Sequence, residues 1–279
     1  MIVLMLGYFV MGLIFPVMRF FYHVLYRKNS QPGLVRAVRN DFLILYAYAK
    51  QIIVSNPKKF KTVGAITLCL IILPLTPIQL EIEYILEDFL AAIMFSLLVI
   101  VFAPQEDPSD EGFPVEIFGF IYSIIFMYYS AGNLVLDIFY AMNSLDENMW
   151  ICGYGVTIIS YVICIATLSR FMERKLSKVE IILLGMIMMT TLEFMTYYGI
   201  GFFGGMQWHN YDPLTYEMSL SNIFGDITAI INQGIFIASQ SQILERTDSE
   251  IWSYVILNGT DVLTITAVLG YLVQKFMEM

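Results

Sequence analysis

The stretch "SLSNIFGDITAIINQGIFIASQSQILERTDSEIW", Ser219–Trp252, lies between two long apolar segments and is far more polar than either. Its first part carries Asn222, Asp226, Asn232 and Gln233, and its middle reads Ser239-Gln240-Ser241-Gln242. The chain of 279 residues around it is 58% hydrophobic and 14% charged, against roughly 25% charge in a soluble globular protein. Its apolar residues come in blocks of about twenty, the mark of a multi-pass membrane protein. Residues 219–244 are long enough to cross a bilayer, for which about 20 residues suffice. An Asp near the centre of a lipid-exposed helix, however, costs about 2.5–3.5 kcal/mol, and the nearby amides add to that. The segment must therefore face protein or water, either as a re-entrant piece or as a spanning helix buried among others.

Working outward, the basic residues set the orientation. Eight lie in 27–61 (Arg27, Lys28, Arg36, Arg39, Lys50, Lys58, Lys59, Lys61) and four in 170–178 (Arg170, Arg174, Lys175, Lys178). Both clusters are assigned to the cytoplasm. Spans near 2–22, 63–80, 85–103, 115–137, 150–169 and 179–200 then alternate in direction, and 251–276 is a final long helix. The expected fold is all-α, with about seven transmembrane helices plus one re-entrant half-helix, or eight transmembrane helices if 219–244 spans. The charge rule leaves that choice open. Re-entry puts Arg246 outside and Lys275 inside, and spanning swaps them. The first span has no basic residue before its apolar run and is followed by Arg19, Arg27 and Lys28. That order predicts an uncleaved helix with its N-terminus outside, in a cell membrane.

Three regions divide this single membrane unit. Residues 1–62 hold the first helix and a basic segment, 63–178 hold four helices, and 179–279 hold the polar stretch and its flanking helices. In the basic segment, residues 34–54 have helical periodicity with basic residues at the edges. They form either an amphipathic helix on the inner leaflet or a helix packed on the protein itself. Pro74 and Pro77 close the second span, Glu81, Glu83, Glu87 and Asp88 fall at the outer surface, and "APQEDPSDEGFP", 103–114, is a cytoplasmic turn.

Within the opening stretch, Ile223, Ile227, Ile230, Ile231 and Ile235 follow helical spacing, and the polar residues mark another side. The order is outer helix, polar loop, short amphipathic helix, short polar piece, hydrophilic "ERTDSE" and long inner helix. It resembles the pore module of potassium channels and related tetrameric pore-loop cation channels. The resemblance covers about the last hundred residues. It implies that the half-helix ends over Gly234–Ser239, supported by Asn222, Asp226, Asn232, Gln233 and Glu193. It also implies that Ser239, Gln240, Ser241 and Gln242 occupy the filter and that Gly270 bends the inner helix. The family's filter reads Thr-Val-Gly-Tyr-Gly, whereas no glycine lies between Ile235 and Asn258 here. That departure points either to a less selective path lined by side chains or to a non-conducting relative, not to selective potassium conduction through carbonyls aimed by glycine.

Asp261 lies near the centre of the last helix, with Asn258 one turn before it and Thr264 one turn after. An acid at that depth faces a pore or carries protons, or it is a hydrogen-bonded group holding helices together. Glu193, in "MMTTLEFMTYY", poses the same choice nearer the outer surface. Asn258-Gly259-Thr260 matches a glycosylation sequon by chance, inside an apolar helix. The two histidines, His23 and His209, lie far apart, and the three cysteines have no CxxC spacing. No metal site and no cofactor are expected. No HExxH, GxSxG or paired-Asp motif points to an enzyme. The net charge of −9 points away from nucleic acid. The expected partners are the lipid bilayer, further copies of the chain in a homo-oligomer, and monovalent cations. Two function classes stand, an ion-channel-like protein and a non-transporting assembly, immunity or signalling partner, with a secondary transporter third.

Overall fold

A computed structural model describes residues 39, 43, 46–47, 50–76, 80–103, 113–142, 149–173, 178–208, 230–232, 234–235 and 248–277. Among these residues the protein is all-helical. The helices are α1 (Pro57–Ile72, continued by a 3-10 turn over Leu73–Leu75), α2 (Leu80–Phe102), α3 (Phe113–Ala141), α4 (Met149–Met172), α5 (Lys178–Trp208) and α6 (Asp248–Met277). Stretches within α2, α3, α4 and α6 are long and apolar enough to cross a membrane: Ile82–Phe102, Glu116–Ala141, Trp150–Met172 and Ile251–Met277. The expected first span, 2–22, lies outside the described residues. At the place of the expected second span, 63–80, α1 begins earlier, because Pro57 at its first turn presets a helical φ, and Pro74 falls in the 3-10 turn that ends it; α1 is not among the four membrane-length stretches.

The chain forms two compact units, Met1–Pro77 with Ile93–Ile124 and Ile78–Ala92 with Ile125–Met279. In the first, the Thr67 hydroxyl meets the Met94 sulfur at 3.5 Å, and Phe95 and Tyr122 pack edge-on with ring centroids 5.9 Å apart. Phe102 lies flat against Gly119, where a Cβ would enter its ring.

The second unit is built on α4, α5 and α6. Along α4 and α5, Gly153 packs on Phe203 and Thr157 on Gly199, so the two run antiparallel. Along α5 and α6, Gly185 packs on Leu272 and Tyr197 meets Asp261, again antiparallel. α4 and α6 therefore run parallel to each other. Tyr154, Ile200, Phe203 and Leu257 of these helices form a buried cluster with Leu136 of α3. α6 buries Ser253, Leu257, Thr260, Thr264, Val268 and Tyr271, spaced three and four apart. It leaves Trp252, Val255, Val262, Leu269 and Val273 exposed. In lipid such an apolar face needs no protein cover. α5 runs past its expected end at residue 200, because Gly199 and Gly201 allow close approach by neighbours and do not terminate the helix.

Candidate functional site

Two tyrosines on α4, Tyr154 and Tyr161, lie seven residues apart and so share one helix face. Both reach α6. The Tyr154 hydroxyl bonds the Ser253 hydroxyl. The Tyr161 hydroxyl lies 3.0 Å from the Thr264 hydroxyl and 3.2 Å from the Thr260 carbonyl, to which it donates. On the other side of α4, the Thr157 hydroxyl bonds Tyr128 of α3 at 3.0 Å and also donates to the Gly153 carbonyl at 2.9 Å. Each rung satisfies a hydroxyl that would otherwise be buried without a partner, which is costly in an apolar interior. Interhelical bonds of this kind average about 0.6 kcal/mol in membranes and reach about 1.7 kcal/mol. Tyr161→Phe should fall in that range, read as an earlier unfolding midpoint in mixed micelles on adding SDS. An unchanged midpoint would show that the Tyr161 rung adds nothing to stability.

Asp261 is the acidic member of this seam. It lies roughly 20 Å from either end of the 30-residue α6. The Tyr197 hydroxyl of α5 donates to its Oδ2 at 2.7 Å, while Oδ1 is shielded from solvent and has no hydrogen-bond partner among the described residues. Glu193, one turn from Tyr197 on α5, lies within electrostatic reach of Asp261. An acid pair with one satisfied and one empty oxygen can accept a proton or a small cation.

The structure separates the residues grouped by sequence around Asp261. Thr264 is buried against Tyr161. Asn258 is exposed and donates its amide to the Tyr254 carbonyl of its own helix at 2.8 Å. α6 passes through Gly270 as helix to Met277. Asn222, Asp226, Gln233 and Ser239–Gln242 lie outside the described residues. Ile230–Asn232 and Gly234–Ile235 are helical, with Asn232 and Ile235 exposed and Gly234 buried. This turn lies directly on α5. A Cβ on Gly201 would collide with the Ile230 carbonyl oxygen, and one on Gly234 with the Tyr197 carbonyl oxygen. Tyr197 thus touches Asp261 through its side chain and Gly234 through its backbone.

Sequence reading missed Tyr197, Tyr161 and Tyr154. The seven-residue spacing of the two α4 tyrosines was the available signal, while Tyr197 is one aromatic in an aromatic-rich helix. Asp137 was missed as well, and its side chain hydrogen-bonds Asp88. Among the described residues no group of three His, Cys, Asp or Glu gathers at one point. The chain matches no protein-family model, no curated protein and no solved structure.

Proposed function

We propose that the chain is a multi-pass membrane protein that passes small monovalent cations, with Asp261 as the charged group on the path. The observation that carries this reading is the empty, shielded Oδ1 of Asp261 at the middle of a membrane-length helix, with Glu193 close by. Burying a charge with half of its bonding capacity unused is expensive, and a proton or cation at that oxygen relieves the cost. Tyr197 holds the carboxylate in place through Oδ2, so the open oxygen has a defined position.

The helix directions support re-entry of the opening stretch. α6 runs antiparallel to α5, so residues 209–247 leave α5 and return to α6 at the same end. The turn at 230–235 sits on Gly201, seven residues from the end of α5 at Trp208, a descent of about 10 Å. That arrangement suits the outer helix, half-helix and inner helix of a pore-loop module. It brings the segment into the membrane against α5, where protein covers it. In this reading the protein lies in the cell membrane, the basic loops 27–61 and 170–178 are cytoplasmic, and copies assemble so that several Asp261 carboxyls favour cations.

Two experiments test the proposal. Proteoliposomes holding the full chain should take up sodium or potassium faster than chloride. Folded protein that passes neither ion would sink the transport reading. Single cysteines replacing Thr247 and Met279, in a chain without Cys69, Cys152 and Cys164, should label from opposite faces, Thr247 from outside. Labelling of Met279 from outside with Thr247 protected would mean that 219–244 spans.

A second reading rests on the hydroxyl rungs. Tyr154–Ser253, Tyr161–Thr264 and Tyr128–Thr157 each hold helices together without any transported ion. A non-transporting membrane partner would use Asp261 in the same way. It would show no ion flux, and changing Asp261 would alter only assembly.

A further inference from the structure

Arg39, Leu43, Tyr46, Ala47 and residues 50–55 are helical. At about 100° per residue, Arg39, Leu43, Tyr46, Ala47, Lys50, Ile53 and Val54 fall within an arc of about 120°. All seven are exposed, Leu43 at 57%, Tyr46 at 69% and Val54 at 67%. Ile52, on the opposite side, is 3% exposed. Among the described residues of 39–55 only Ile52 is buried, while Leu43, Tyr46, Ile53 and Val54 are exposed.

We propose that this outward face is a docking surface for anionic phospholipid headgroups at the bilayer interface. Two features of the chain select this occupant. The first is charge. Residues 39–80 hold five basic residues and one acid, Asp41, although the chain as a whole carries a net charge of −9. Lys58 and Lys61 are exposed like Arg39 and Lys50, so the basic surface continues into the first turns of α1. The second is continuity with the membrane. The helix is followed directly by α1, whose apolar end exposes Leu68, Ile71 and Ile72.

Leu43, Tyr46, Ile53 and Val54 would enter the boundary between headgroups and acyl chains. Arg39 and Lys50 would extend their long stems to reach the phosphates. Such basic residues beside a membrane concentrate anionic lipid. A second copy of the chain would meet this face with the same charges, and a two-fold contact would set like against like.

The test uses the full chain in proteoliposomes. Cys69, Cys152 and Cys164 are replaced, and Tyr46→Cys carries an environment-sensitive NBD fluorophore. Quenching by spin-labelled phosphatidylglycerol is compared with quenching by phosphatidylcholine labelled at the same acyl position and mole fraction. The phosphatidylglycerol probe should quench roughly twofold more or better, and raised ionic strength should reduce that excess. The variant R39Q/K50Q/K58Q/K61Q should quench equally with both lipids while its unfolding midpoint stays unchanged. Three results would overturn the proposal: a fluorophore that stays water-exposed and unquenched by either lipid, equal quenching by the two lipids in the parent chain, or a preference that survives the four substitutions. To remove dependence on one position, Leu43→Cys is measured in parallel and should give the same preference.

Discussion

Gly201→Ala should destabilise the protein by roughly 3 kcal/mol, at the upper end of ordinary overpacking costs. The added methyl would collide with the carbonyl oxygen of Ile230, and the Gly234 amide nitrogen lies 3.0 Å from the same point. These are backbone atoms, so no side chain can rotate away. Either α5 and the 230–235 turn part, or one of them bends. Elsewhere in a helix the same change is favourable by about 1 kcal/mol, because alanine is the better helix former. Gly155, Gly259 and Gly270 supply that control, since a Cβ at each meets nothing within 4 Å among the described residues. Gly270→Ala should therefore hold or raise the unfolding midpoint in mixed micelles, while Gly201→Ala lowers it. Equal behaviour of the two variants would show that the turn does not rest on Gly201. The loss should also be local at first. A cysteine at Asn232 should label faster in Gly201→Ala than in the parent chain, because freeing the turn opens its contact with α5.

On the proposed cation-path reading, Asp261→Asn should cut the preference for cations over anions by roughly tenfold or more while the protein still folds. A unit charge about 4 Å from a passing cation is worth about 4 kcal/mol at an effective dielectric near 20, and a third of that is already tenfold. Asparagine can still accept the bond from Tyr197 through its amide oxygen, so the α5–α6 contact survives while the charge is lost. Asp261→Leu removes both, and it leaves the Tyr197 hydroxyl without its acceptor. It should lower stability as well as flux. Tyr197→Phe separates the roles in the other direction, keeping the charge and freeing the carboxylate. Its effect on flux should be smaller than that of Asp261→Asn. The measurement is the reversal potential of the protein in planar bilayers under a salt gradient. A reversal potential unchanged in Asp261→Asn would remove Asp261 from the path and favour the helix-docking reading.

The helices themselves were legible in the sequence. Blocks of about twenty apolar residues mark α2, α3, α4 and α6 without any knowledge of their neighbours, since a segment must be that long to cross hydrocarbon. The acid at the middle of the last helix was also legible, because a charge there stands out against its surroundings. Helix ends were less so. The span expected near 179–200 runs on to Trp208, and Gly199 and Gly201 within it are where Tyr128, Thr157 and Ile230 come close.

What the sequence by itself determined is the helical class, the place of each apolar helix along the chain and the depth of Asp261 along its own helix. Only the tertiary structure decided that α6 runs with α4 and against α5. It alone showed that Asp261 turns to Tyr197 while Thr264 turns to Tyr161, and that Asn258 points away from both. The reason is physical. In a lipid solvent the apolar residues on every face of a helix are alike, so periodicity says little about which face meets protein. Partners at one depth depend on the direction and offset of two separate helices, and neither quantity is written in the pattern of one helix. A glycine carries even less local information, because its use here is the empty space that another backbone fills.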